Sequence, residues 1–344
     1  MTDPGTFSLT TSLLLFAGSS LVIGLTGWWI TGVVDRLADQ TGLGEAVSGA
    51  VFLGASTSLS GIVASVSTAY SGHAEFAVSH AIGGIAIQTT FLAIADMTYR
   101  DANLEHAAAS SANLMSGVLL IILLAVILLA TKGPEIAWGG VHPMTVVLVA
   151  AYGLGIRLIR GAHKEPLWIP VRTKETRPDV PEEHSGRVEL SKLWLAYVGL
   201  ALTIGVAGWS IGHAALSIVV QSGLSETLVG GLVTTFSTSL PELVTGVAAV
   251  RRGALTLAVG GIIGGNAFDT LLVALSDVAY RSGSIYHAAA DRSLALLGLA
   301  ILLTGILLLG MLRREKHGIA NIGFESVLIL VIYLVTWTVL FVTG

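Results

Sequence analysis

Shifting the chain by 181 positions lays residues 20–100 over residues 201–281 without a gap, with identity at roughly a third of the positions. Ile23-Gly24 falls on Ile204-Gly205, Gly27-Trp28 on Gly208-Trp209, Gly42-Leu43 on Gly223-Leu224 and Tyr99-Arg100 on Tyr280-Arg281. The same shift carries His106-Ala107-Ala108-Ala109 onto His287-Ala288-Ala289-Ala290. A duplication of this length constrains the fold more than any single motif. Each copy must be one structural unit, and the two must bury their faces against each other.

The medium in which they do so follows from composition. Hydrophobic residues make up 53% of the chain and charged residues 12%, and the mean hydropathy is +0.80. One water-soluble core of this length cannot bury so much apolar surface, so the class is an all-α polytopic membrane protein. Ten apolar stretches are predicted as spans, near 8–34, 44–70, 74–98, 109–131, 141–160, 191–217, 225–250, 254–279, 290–312 and 324–342. Most can cross about 30 Å of hydrocarbon at 1.5 Å per helical residue. No Lys or Arg precedes Arg36 and the first stretch exceeds a signal core, so a resident helix is expected there instead of a cleaved leader. Cysteine is absent, which removes disulfides, thiolate metal sites and cysteine nucleophiles together.

Five spans per copy is an odd number, so the second copy enters the bilayer from the opposite side and the halves are inverted. Basic residues provide an independent check. With the N-terminus on one side, loops on that side carry only Lys132, Arg281 and Arg292 of the eighteen Lys and Arg residues. The excess marks the other side as cytoplasmic and puts both termini outside the cell membrane. Three segments result: a first five-helix repeat over 1–160, a cytoplasmic linker over 161–190, and the second repeat over 191–344. The linker mixes charge and proline, with Arg172, Lys174, Glu175, Arg177 and Asp179 among Pro166, Pro170, Pro178 and Pro181. That composition reads as a flexible tether.

The chemistry concentrates where the second and third helices of each half are interrupted by polar residues. The seventh span contains Ser237-Thr238-Ser239-Leu240-Pro241-Glu242, and the eighth Gly264-Gly265-Asn266-Ala267-Phe268-Asp269. A proline in mid-span removes a backbone donor and frees carbonyls one turn earlier. Broken helices are therefore expected at spans two and seven. Thr238 and Glu242 share a helical face, as do Gly265, Asn266 and Asp269. Hydroxyls, carbonyls and carboxylates at membrane depth make an all-oxygen environment for hard cations such as Na⁺ or Ca²⁺. Ionised acids cost several kcal/mol at the bilayer centre, which makes Glu242 and Asp269 functional candidates.

Ser56-Thr57-Ser58-Leu59 and Ser237-Thr238-Ser239-Leu240-Pro241-Glu242, each followed by a Gly-rich helix reaching Gln88 or Asp269, resemble the two alpha repeats of the cation/Ca²⁺ exchanger superfamily. The resemblance implies a secondary-active antiporter exchanging Ca²⁺ for Na⁺ by alternating access, with no enzymatic activity and no cofactor beyond the transported ions. It carries metal ligation onto Thr57, Ser58, Thr238, Ser239, Glu242 and Asp269, with Gln88 in the place of an amide. This chain departs from the pattern in its first half. Ser60-Gly61 stands where a Pro-Glu pair is usual, Gly84 and Gly265 where serine is usual, and Ile85 where the second half has Asn266. Protein charge in the site is then at most −2, which matches one divalent or two monovalent cations. Electroneutral exchange is the expectation.

His80 lies two turns before Gln88 on one face, and with Asn266 it is a candidate for coupling or gating. Proton-coupled exchange, of Na⁺/H⁺ or Ca²⁺/H⁺ type, is the alternative, and a non-transporting cation sensor on the same scaffold is a third reading. Asp96 and Asp277 each stand four residues before an arginine, Arg100 and Arg281, which reads as helix-end ion pairing. Glu45 and Glu226 open the second and seventh spans, where an acid complements the helix dipole. Neither Gly-rich stretch follows a strand or carries a phosphate-loop lysine, so nucleotide and nucleic acid are not among the expected partners. The partners expected are inorganic cations and the lipid bilayer.

Overall fold

The computed structural model describes residues 7–41, 57–99, 101–108, 110–164, 169–171, 173–174, 189–253, 255–316, 318 and 322–342. Gly42-Leu43, Glu45, Arg100, Ala109, the first part of the 44–70 span and most of the linker lie outside the described residues. The helices, in chain order, are α1 (Leu9–Thr41), α2 (Leu59–Tyr70), α3 (Ala74–Asp96), α4 (Leu104–Ala107), α5 (Ser111–Lys132), α6 (Pro143–Lys164) and α7 (Leu190–Ser222). Then come α8 (Glu226–Leu228), a π-helical turn over Val229–Thr234, α9 (Thr235–Thr238), α10 (Leu240–Arg252), α11 (Leu255–Ala279), α12 (Ile285–Ala288), α13 (Asp291–Arg313) and α14 (Phe324–Val342).

Eight of these helices are long and apolar enough to cross a membrane. They are α1, α3, α5, α6, α7, α11, α13 and α14, and their limits follow the predicted stretches closely. Of the ten stretches, the two that differ are those rich in hydroxyls. The 225–250 stretch runs as four consecutive pieces, none long enough alone, and the described part of 44–70 is the twelve-residue α2. A proline at the start of α10 explains one interruption, since it cannot donate to the preceding turn. The π turn just before α9 explains another, because its i→i+5 bonding offsets the backbone register.

The layout is set by which helices water and lipid never reach. In α3, 94% of the apolar window is buried inside the protein, against 17% in α7 and 28% in α1. Helix α3 packs against α11, α13, α14 and the π turn, while α1 lies along α7 on the outside of α2 and α10. Exposed Leu14, Trp28, Leu195 and Val206 give α1 and α7 an apolar outer surface. Such a surface suits hydrocarbon and not water.

The 181-residue correspondence extends to contacts. A Cβ at Gly27 would come within 2.7 Å of the Pro241 side chain, and one at the equivalent Gly208 within 2.6 Å of Ser60 Cα, the position equivalent to Pro241. Glycine at these two points lets the long outer helices press directly onto α10 and α2. Gly83 makes a similar approach to the backbone of Gly231 in the π turn, where Cβ would meet Gly231 Cα at 2.8 Å.

Asp96 and Asp277 also act alike; no ion pair joins Asp277 to the expected Arg281, and Arg100 lies outside the described residues. Asp96 accepts from the backbone N–H groups of Leu104 (2.7 Å) and Gly323 (3.2 Å) and from the Ser326 hydroxyl (3.0 Å). Asp277 accepts from Ile285 N–H (3.2 Å), His142 N–H (2.8 Å) and the Thr145 hydroxyl (2.7 Å). Each carboxylate ties the end of one long helix to the start of the following short one and to the beginning of another span. Fixing loop backbone by charge-assisted bonds is what the buried acids do here.

Candidate cation site

One cavity gathers Thr57 and Ser58 at the start of α2, Gln88 on α3, Thr238 and Ser239 at the α9–α10 junction, Glu242 on α10 and Asp269 on α11. These are the seven residues assigned as ligands from the sequence. His80, Ala81, Gly61, Gly84 and Leu272 complete the lining. The side chains converge because the helices stop and restart there. Ser239 has left helical geometry, with φ −95° and ψ 8°, between Thr238 and Leu240. Ser58 precedes the first residue of α2.

Polar bonds cross between the two sequence halves throughout the cavity. The Gln88 amide donates to Asp269 Oδ2 at 2.8 Å and to Ser239 Oγ at 3.3 Å. Ser58 hydrogen-bonds Asp269, and Thr57 hydrogen-bonds Glu242. The Ser60 hydroxyl donates to the Thr238 carbonyl at 3.2 Å. Glu242 and Asp269 are 7% and 3% exposed and repel each other.

Donors do not match acceptors. Glu242 Oε2, Asp269 Oδ1 and Gln88 Oε1 are all buried without a hydrogen-bond partner. Each such acceptor carries a desolvation penalty of about 1–3 kcal/mol, more when charged. A cation placed among them removes the deficit, because it supplies positive charge to oxygens that no N–H or O–H reaches. Among the described residues no group of three or more His, Asp or Glu side chains is arranged to hold a metal ion. The acidic contribution therefore stops at two carboxylates, and hydroxyls and an amide provide the remaining oxygens.

His80 sits inside this arrangement and is fully buried. Its Nδ1 lies 2.8 Å from Ser65 Oγ and its Nε2 3.0 Å from Thr238 Oγ1. The Thr238 hydroxyl has one proton, directed at the carbonyls of Thr234 and Thr235. Nε2 therefore donates to Thr238 while Nδ1 accepts from Ser65, a neutral imidazole with both nitrogens satisfied. A Cβ at Gly61 would be 3.5 Å from His80 Cε1. Gly61 is the position equivalent to Glu242, so the imidazole stands beside the place where the first half lacks an acid.

Asn266 is placed differently. Its amide donates to Thr89 Oγ1 at 2.9 Å and to the Ile85 carbonyl at 3.3 Å, binding α11 to α3, and it is not among the cavity-lining residues. Helical spacing puts it on the face of Asp269, but the helix-to-helix bond turns it toward the neighbouring backbone. Spacing does not single out Gly27, Gly208 and Gly231 for the site, yet they set how closely other helices approach its walls. The repeated Gly-Trp pairs at 27 and 208 are the available signal.

The model of the sodium/calcium exchanger protein family matches residues 11–158 and 191–342. Among curated proteins, the chain is 37% identical over 125 residues to CaxA of Alkalimonas amylolytica, whose name designates a putative antiporter, covering 36% of this chain and 38% of that one. It is 32% identical over 136 residues to inner membrane protein YrbG of Escherichia coli K12, covering 39% and 40%. Each alignment thus spans about two-fifths of the relative's length. Among solved structures, the sodium-calcium exchanger NCX_Mj superposes with a TM-score of 0.64 at 15% identity over 95% of this chain and 98% of its own. The H⁺/Ca²⁺ exchanger CAX gives 0.65 at 13% identity over 94% and 81%. Both show the fold. With the family model covering both halves on either side of the linker, the chain is an integral membrane protein that belongs to the sodium/calcium exchanger family, a family of transporters and not of enzymes.

Proposed function

We propose that the chain is a secondary-active cation antiporter that exchanges Ca²⁺ for Na⁺ by alternating access, with Glu242, Asp269, Thr57, Ser58, Gln88, Thr238 and Ser239 holding the transported ion. The observation that carries this reading is the set of three partnerless buried oxygens, from Glu242, Asp269 and Gln88, lining one cavity. Ten spans in two inverted five-helix halves, over 1–160 and 191–344, complete the proposal, with 225–250 and 44–70 as the interrupted pair that alternately admits each side. Both termini then lie outside the cell. Two carboxylates balance one Ca²⁺ or two Na⁺, so the exchange is electroneutral.

Proton coupling is the second reading, and one observation favours it. A titratable imidazole, His80, lines the same cavity beside Gly61, the position equivalent to Glu242. Uptake of radioactive calcium into proteoliposomes, with sodium and pH gradients imposed separately, distinguishes the two. Uptake driven by sodium alone supports the first reading, uptake driven by pH alone the second. Uptake under neither gradient contradicts both.

A further inference from the structure

The equivalence of Asp96 and Asp277 exposes a difference between their surroundings. Around Asp277, the positions beside the carboxylate are Tyr286, Thr145 and Met144, and the Tyr286 hydroxyl lies 2.9 Å from Thr145 Oγ1. Around Asp96, the equivalent positions are Glu105, Ser326 and Glu325. Two extra acids have replaced a tyrosine and a methionine. Both are buried, at 2% and 1% exposure. Leu104 and Ser326 both bond Asp96, which brings their chain neighbours Glu105 and Glu325 to one place, where the two carboxyls influence each other's charge.

We propose that Glu105 and Glu325 form a proton-binding site in which one proton, shared between the two carboxyls, joins α4 to the start of α14 on the face where Val171 and Thr173 dock. Two ionised carboxylates can only accept, so the contact between them exists when one of them holds a proton. Both oxygens of Glu105, and Oε2 of Glu325, are buried with no hydrogen-bond donor reaching them. Asp96 does not supply the proton's place, because its oxygens are already taken by Leu104, Gly323 and Ser326. Negative charge on Asp96, beside the pair, resists further negative charge there. Burial first, then the charges of Asp96 and Glu325, hold the Glu105 carboxyl well above the usual carboxylate range.

Among the described residues, the arginines at this end have partners of their own. Of the elements packed on α4 and α14, α3 contributes Asp96, and α11 turns its Leu255 end this way, as the Asn113 contact with Thr256 requires, leaving Asp277 at the far end. Helix α13 ends in Arg313, which pairs with Glu315 at 3.7 Å and lies over the Phe324 ring at 5.1 Å. Arg314 donates to the carbonyls of Val171 and His106. His106 contacts the Arg314 carbonyl (2.7 Å) and the Thr173 hydroxyl (3.0 Å), and the Lys316 carbonyl accepts from Asn103 N–H. Glu315 adds its repulsion to Glu325. Among the described residues no three acids or histidines are arranged as a metal site, which favours a proton over a metal ion.

The test uses the full chain in lipid nanodiscs. Infrared spectra taken across a pH series are compared for the native chain, Glu105→Gln and Glu325→Gln, with amide hydrogen exchange at residues 104–107 measured alongside. The native chain is expected to show a protonated-carboxyl band at neutral pH that is absent from both variants. Its exchange at 104–107 is expected to rise with pH about tenfold beyond the intrinsic increase for each pH unit by which the pair's pKa is exceeded, and the variants are expected to lack that excess. If one variant fails to fold, the other supplies the same comparison. Identical bands and identical exchange in the native chain and the variants overturn the proposal. So does loss of the band on adding Ca²⁺ at constant pH in a Glu242→Gln background, which identifies a metal site.

Discussion

Glu242 is legible without coordinates because a carboxylate beside a proline in an apolar stretch has few structural uses. Its partners are legible too, since Asp269 and Gln88 occupy equivalent positions in the two copies and the Gln88 amide bonds Asp269. What spacing does not give is direction. Asn266 shares a helical face with Asp269 but spends its amide on Ile85 and Thr89. At this scale, Glu242→Gln is expected to abolish cation uptake while leaving the fold intact, because the amide has nearly the same shape but no charge to offset a cation. Gly61→Glu is expected to alter ion selectivity and retain transport, since it puts an acid beside His80 at the position equivalent to Glu242. Uptake assays on both variants, with detergent thermal melts as the folding control, check this. The glycines give a second expectation. Gly27→Val drives a side chain into Pro241 and should lower stability by about 1–3 kcal/mol, whereas Gly32→Val, with open space around it, should be close to neutral.

Helices can be read from sequence where hydropathy alone decides, and the proline of 225–250 signals an interruption there, but the π turn and the exact division of that stretch leave no such mark. Eight predicted stretches are continuous helices, while 225–250 is divided into α8, a π turn, α9 and α10. Hydropathy reports only transfer into lipid, and has no means of registering where backbone bonds change partner. Long-range pairing between elements is also invisible to it. Glu226 has the position of a helix-dipole acid, yet it pairs with His73 Nδ1 at 2.5 Å and accepts from Phe76 N–H at 3.0 Å, locking the start of α3 to the start of α8. The bond to Glu226 raises the His73 pKa above the ordinary histidine value. A raised folded-state value means the contribution is fully present below the ordinary histidine pKa and is lost as pH rises through the folded one. The melting-temperature advantage of the native chain over His73→Gln should therefore be largest in mild acid and shrink as the solution becomes alkaline. For a partly exposed pair it corresponds to about 1 kcal/mol or less. An advantage that grows with pH contradicts the pairing.

For the molecule as a whole, the duplication is the strongest signal, and it predicts more than similar halves. Equivalent glycines press on equivalent positions, and equivalent aspartates cap equivalent loops. The proposed cation and proton sites both fall where the copies differ: Gly61 against Glu242, Gln88 against Asp269, and Glu105 against Tyr286. With acid from only one copy, the cavity holds at most two negative charges, so transport should carry no net charge. Voltage-sensitive dye in proteoliposomes should register no potential as exchange proceeds, and a potential that develops with uptake argues for a different ion ratio. The most direct measurement is radioactive calcium uptake into proteoliposomes holding the native chain, Glu242→Gln or Asp269→Asn, under an outward sodium or proton gradient. Uptake by the native chain and background levels in both variants is the expected result; uptake undiminished by either substitution would contradict a two-carboxylate ion site.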